Sequence, residues 1–140
     1  MKRSSFVVTL ATLAMLVTAS AVQAAPPSSA FSGTWVSTDP VTFATQHLVV
    51  SGGNSARIDY QDEYAAACFI PGSTDFWFSS DLRGDVSGIT LSATFKSAKC
   101  GHVQLSGMKG LPMSWTFSAG ATSDPADDTL FDGAVTWTRV

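Results

Sequence analysis

Charged residues make up only 14% of the 140-residue sequence, and beyond Lys2-Arg3 its basic residues never cluster. Such a chain carries no electrostatic footprint for nucleic acid or an anionic membrane surface. Cysteine is scarcer still, with Cys68 and Cys100 the full complement. Their wide spacing excludes a redox motif, and a metal site on Cys100 and His102 lacks the second pair of ligands that such sites use. Phosphate-cradling glycine loops and hydrolase nucleophile elbows are also missing. No metal, no cofactor and no catalytic residue is therefore expected, and the chain does not read as an enzyme. Nothing past residue 30 has the period of a three-turn amphipathic helix.

The N-terminus is what the sequence does supply. Met1-Lys2-Arg3 is positively charged, Phe6 to Val17 is apolar except for Thr9 and Thr12, and Val22-Gln23-Ala24 places small residues at a cleavage site. That is the layout of a signal peptide over residues 1–24, too short and wrongly flanked for a membrane span. No cysteine follows the apolar stretch, so no lipid anchor is expected there. The expected mature chain starts near Ala25 and is secreted or periplasmic. It holds 6 Lys+Arg against 11 Asp+Glu, a net charge of −5. Residues 25–30, rich in Pro, Ser and Ala, read as a flexible leader, and residues 31–140 as one domain of a size that supports a single core. An oxidising compartment makes a Cys68–Cys100 disulfide the expected state of the two thiols.

Period-two alternation dominates the rest. Ile89, Leu91, Ala93 and Phe95 share one face against Thr90, Ser92, Thr94 and Lys96. Met113, Trp115, Phe117 and Ala119 share another, against Ser114, Thr116 and Ser118. Shorter runs set Leu48 and Val50 against His47 and Val49, and Ile58 and Tyr60 against Arg57, Asp59 and Gln61. Val135, Trp137 and Arg139 share a face at the C-terminus. Ser51-Gly52-Gly53-Asn54, Ser87-Gly88 and Asp132-Gly133 supply turns. About eight short strands joined this way predict an all-β, antiparallel up-and-down barrel, whose closure removes exposed edges. Most runs fall short of the roughly 9–11 residues of a membrane-spanning strand, so no stable membrane insertion is expected.

Gly33-Thr34-Trp35 opens the first strand and Trp137-Thr138-Arg139 closes the last. In a closed meander these strands are neighbours, which sets the Arg139 guanidinium over the Trp35 ring. This Gly-x-Trp start with a late Arg resembles the structural signature of the calycins, the lipocalin- and avidin-type small barrels. The order Gly33-Thr34-Trp35, Ile58-Asp59-Tyr60-Gln61-Asp62, Cys68, Thr94, Cys100, Asp124-Pro125-Ala126-Asp127-Asp128-Thr129-Leu130 and Val135-Thr136-Trp137-Thr138-Arg139 looks closer to uncharacterised secreted bacterial domains on the same plan. The resemblance implies a calycin-like barrel. It does not extend to the polar residues by which avidins hold biotin, nor to the long first loop of lipocalins.

The remaining candidates have structural readings beside functional ones. His47 and His102 sit on polar phases without a local carboxylate or nucleophile. Asp59, Asp62 and Glu63 form an acidic cluster in which Asp59 suits a cross-strand ion pair with Arg57. Asp124, Asp127, Asp128 and Asp132 depart from calcium-loop spacing and suit turns. Phe76-Trp77-Phe78 cannot all face inward, so Trp77 is expected outside, beside Asp75, as a candidate partner contact. Two binding functions follow. The first is a small apolar ligand in a barrel mouth lined by Tyr60, Phe95 and Trp115. The alternative is a protein-binding barrel, such as a secreted protease inhibitor or surface-interaction domain. The sequence carries no signal for oligomeric state.

Overall fold

Alternation becomes pairing in the computed structural model, which describes residues 27–71 and 73–140. The signal-peptide assignment and the first two leader residues lie outside the described residues. The strands are β1 (Gly33–Thr38), β2 (Thr45–Gly52), β3 (Ser55–Asp62), β4 (Phe78–Ser87), β5 (Thr90–Cys100), β6 (Val103–Gln104), β7 (Pro112–Ser118), β8 (Thr129–Phe131) and β9 (Thr136–Arg139). Every pairing is antiparallel, in the order β4-β3-β2-β1-β9-β8-β7-β5-β6, and a further β4–β5 pairing closes the cylinder. Eight strands form the barrel, while β6 adds a two-residue ladder to the far end of β5 through Lys99↔Gln104 and Cys100↔Val103.

The inward faces are those the alternation marks. Leu48, Val50, Ile58, Leu91, Ala93, Phe95, Trp115, Phe117 and Trp137 are all buried. The pattern runs out at two places. Ile89 is exposed because it lies in the turn before β5, and Ala119 is exposed because it follows the last residue of β7. The register also slips in β5, where Asp81 faces Ser97 but Leu82 faces Phe95, a bulge that leaves Lys96 and Ser97 both outside. The Gly53-Asn54 connection is a two-residue hairpin turn between β2 and β3, as its residues suggest.

One end of the barrel is sealed. Trp35 stands opposite Arg139 across the β1–β9 seam, and the Arg139 guanidinium carbon lies 4.1 Å from the Trp35 ring centroid. Residues Ser28–Ala30, expected within a flexible leader, instead enter a 3-10 turn, Ser28–Phe31, that folds across this end. Phe31 is buried against Phe117, its carbonyl accepts from Trp35 Nε1 at 3.0 Å, and the Ala30 and Ser32 carbonyls accept from Arg139. A single apolar residue in a polar stretch anchors the turn. Gly33 is required at this corner because its φ is +139° and an added Cβ would stand 2.6 Å from Arg139 Nη1.

Gly84 marks the tightest approach within the wall. A Cβ there would meet the Ser92 carbonyl and stand 2.6 Å from the Ala93 Cβ. Overpacking of this kind costs about 1–3 kcal/mol. Gly84→Ala is accordingly expected to lower the free energy of unfolding by that much in a denaturant titration, and an unchanged value would show that the strands part freely at this point.

Candidate functional site

Strand direction sends the segments 39–44, 63–77, 101–111 and 132–135 to the end opposite the sealed one. There the inward phase of the strands turns polar. Gln46 continues the face of Leu48 and Val50, and Asp62 continues that of Ile58 and Tyr60; both are buried. Gln46 Nε2 lies 3.0 Å from Asp62 Oδ2, 3.1 Å from the Tyr60 hydroxyl and 3.5 Å from Asp39 Oδ2. Burial pushes the Asp62 carboxyl up, reinforced by the nearby Asp39. Burial pushes Asp39 up as well, but donation from the Thr42 and Val41 N–H groups and from Asp62 outweighs it and holds Asp39 below its ordinary value. The Tyr60 phenol is driven well up by burial and by the Asp62, Asp39 and Asp132 carboxylates.

Above this layer stands a rim of apolar side chains. Asp39 Oδ1 accepts from Val41 N at 2.6 Å and Thr42 N at 2.8 Å, while the Asp39 carbonyl accepts from Phe43 N at 3.0 Å. The turn so formed carries Phe43 at φ 61°, with 80% of its surface exposed. Glu63 N donates to the Thr45 carbonyl, which brings the start of segment 63–77 beside this turn. In that segment Tyr64, Phe69 and Phe76 form a closed triangle with ring centroids 4.8–5.4 Å apart. Trp77 follows with 40% of its surface exposed, and its N–H donates to Asp75 Oδ1 at 3.0 Å. The Cys68–Cys100 disulfide pins the segment to the end of β5.

The residues expected to line a ligand space stand on the inward faces of β3, β5 and β7. Trp115 is fully buried on β7 beside Leu91, and Phe95 is buried beside Leu82. Tyr60 packs instead on Phe78 and Trp137, at 5.5 and 5.7 Å. Three fully buried tryptophans, Trp35, Trp115 and Trp137, fill the interior. Three grooves lined by described residues run over the outer wall. One of about 920 Å³ crosses β3, β4, β5 and β7 between Arg57, Arg83 and Lys96. Its arginines are already engaged by Asp59 and Asp81, at 3.8, 3.8 and 3.0 Å. His47 pairs with Glu63 at 3.4 Å on the exposed face, and His102 is exposed.

The four C-terminal aspartates work locally. Asp124 caps the 3-10 turn Pro125–Asp127, Asp127 receives the Thr122 hydroxyl, Asp128 binds Gly120 N and Arg139, and Asp132 receives Trp137 Nε1 at 2.9 Å. What sequence reasoning missed is Phe43 and the Asp39–Gln46–Asp62 layer. The layer had a signal, since Gln46 and Asp62 sit on inward phases where an unpaired polar group is costly. Phe43 had only its place as an aromatic in a turn opened by Asp39-Pro40. No family model, curated protein or solved structure matches the chain.

Proposed function

We propose that the chain is a secreted, non-enzymatic protein-binding barrel of calycin type. Its contact surface is the rim made by Phe43, Tyr64, Phe69 and Trp77, and its partner is a folded protein with an apolar pocket that receives Phe43. The conformation of Phe43 carries this reading. A bulky residue in the left-handed region costs about 1 kcal/mol or more, and a side chain 80% exposed gains almost nothing from burial. Neither folding nor solubility favours phenylalanine there, whereas an anchor for a pocket does. Asp39 and the disulfide hold both rim segments in place, which lowers the ordering cost of binding. The expected signal peptide and the bridged cysteines fit an exported protein.

Phe43→Gly removes the anchor and relieves the backbone together. The variant should fold with unchanged or slightly raised stability and bind the purified partner about 30-fold or more weakly, the effect of losing a hot spot. Isothermal calorimetry against a partner first isolated on the immobilised chain makes the measurement. Trp77→Ala should weaken binding with stability nearly unchanged, and Val49→Ala on the outer wall should change neither. Full affinity in Phe43→Gly defeats the proposal. Saturable uptake of an apolar dye that Trp115→Phe abolishes would point instead to a ligand within the barrel.

A further inference from the structure

We propose that Asp39 and Asp62 act as a one-proton latch, which ties the two rim segments together and opens as the pH rises. Its consequence for binding rests on the rim reading above; the latch itself does not. Each carboxylate stitches one segment with one oxygen. Asp39 Oδ1 takes the Val41 and Thr42 amides of segment 39–44, and Asp62 Oδ1 takes the Tyr64 amide of segment 63–77 at 3.0 Å. Their other oxygens meet at Gln46 Nε2. That nitrogen carries two hydrogens, yet three acceptors surround it, counting the Tyr60 hydroxyl. A proton held between the carboxylates supplies the missing donor, while Gln46 Oε1 stays buried without a partner.

The surroundings supply no positive charge in its place. Gln46 faces the pair from β2, Tyr60 from β3, and the Thr42 hydroxyl from the turn above. Asp132, in the β8–β9 turn, adds a further negative charge, although it is occupied with Trp137 and with the Ala134 and Val135 amides. His47 and Glu63 pair with each other, exposed to solvent. Among the described residues no Lys, Arg or His forms an ion pair with Asp39 or Asp62. Two buried carboxylates without a cation cannot both ionise cheaply, so they titrate as a pair.

The direction follows from the opposite displacements of the two groups. Asp62, raised on folding, adds stability that is complete below the unfolded aspartate value of about 3.9 and is lost as pH climbs through its folded value. Asp39, depressed on folding, adds stability that is present above about 3.9 and is lost as pH falls through its own low folded value. The latch is closed between the two. When the second proton leaves, Asp62 is held within β3 with 1% of its surface exposed, so Asp39 on the turn is the group that swings out. The Val41 and Thr42 amides then lose their acceptor, and Phe43 loses the support for its left-handed backbone.

Amide hydrogen exchange by NMR on the full secreted chain, corrected for intrinsic rates, tests this without any partner. Protection at Val41 and Thr42 should fall about tenfold per pH unit above the upper titration of the pair, while β2 and β3 amides stay protected. In Asp62→Asn the side-chain oxygen still accepts from Tyr64, the amide donates to Asp39, and the Gln46 amide turns over to set its otherwise unpartnered Oε1 against the new donor, so protection at Val41 and Thr42 should no longer depend on pH. Carboxyl ¹³C shifts of the unmodified chain give a second readout, in which Asp39 and Asp62 should share two widely separated steps. Flat protection in the unmodified chain, the same pH dependence in Asp62→Asn, or two independent ordinary titrations would each overturn the latch. These readouts are blind to partner affinity, so failure of the rim surface and failure of the latch are told apart.

Discussion

Arg139→Ala is expected to destabilise the barrel by about 3 kcal/mol or more, since it uncovers the buried Trp35 ring and takes the partner from the part-buried Ala30 and Ser32 carbonyls and the Asp128 carboxylate. The guanidinium does four things at the sealed end. It stacks 4.1 Å from the Trp35 centroid, donates to the Ser32 and Ala30 carbonyls, donates to the Pro125 carbonyl at 3.0 Å, and stands 3.6 Å from Asp128. The arginine and Asp128 side chains are each only 15% exposed, so solvent substitutes poorly for the lost contacts. For a domain of this size, that loss is a fall in Tm of roughly 10 °C or more. Arg139→Lys should recover only part of it, because an ammonium cannot span the carbonyls and stack as a planar fork does. A change below about 1 kcal/mol for Arg139→Ala would mean that the Ser28–Phe31 turn holds this end closed unaided. Calorimetry of the two variants settles the point.

Arg139 also shows why this end was legible in the sequence and the other was not. Its phase with Val135 and Trp137 placed a cation on an apolar face, a combination that demands a partner, and an up-and-down meander offers Trp35 as that partner. The strands themselves were legible for the same reason, since Leu48, Ile58, Leu91 and Trp115 each repeat at two. The carbonyls of Ala30 and Ser32 were not, because backbone acceptors carry no side-chain signature and Pro27-Ser28-Ser29-Ala30 reads as leader. At the rim the difficulty is of another kind. Alternation sets Trp77 outward, although it precedes β4 rather than lying in it. Phe43 owes its position to a backbone conformation imposed by Asp39, and period-two patterns do not reach into turns. Tyr60, Phe95 and Trp115 share an inward phase, but phase says nothing about height along the barrel axis, and the three rings lie against different neighbours.

Loss of the Cys68–Cys100 bridge, in Cys68→Ala/Cys100→Ala or on reduction, should cost a comparable amount by a different route. The bridge closes a separation of 32 residues, for which the chain-entropy model gives about 3.5–4 kcal/mol of freedom returned to the unfolded chain. Both cysteines are fully buried, so the double alanine variant adds a packing loss at the same place. The native effect should be local. Among its described residues segment 63–77 contains no strand, and beside the bridge the Glu63 to Thr45, Tyr64 to Asp62 and Gly101 to Trp77 bonds, at 3.1, 3.0 and 2.8 Å, tie it to the barrel. Equilibrium unfolding with and without reductant measures the global loss. Amide exchange should show Ala65, Cys68 and Gly101 opening well before β1, β2 and β9, whose ladder never crosses the bridge. Uniform loss of protection would contradict this, and would make the disulfide a brace for the barrel wall rather than for the rim. If the rim alone loosens, reduction should also weaken partner binding more than it weakens the fold. Arg139→Ala should do the reverse, because the sealed end lies a full strand length from Phe43 and Trp77.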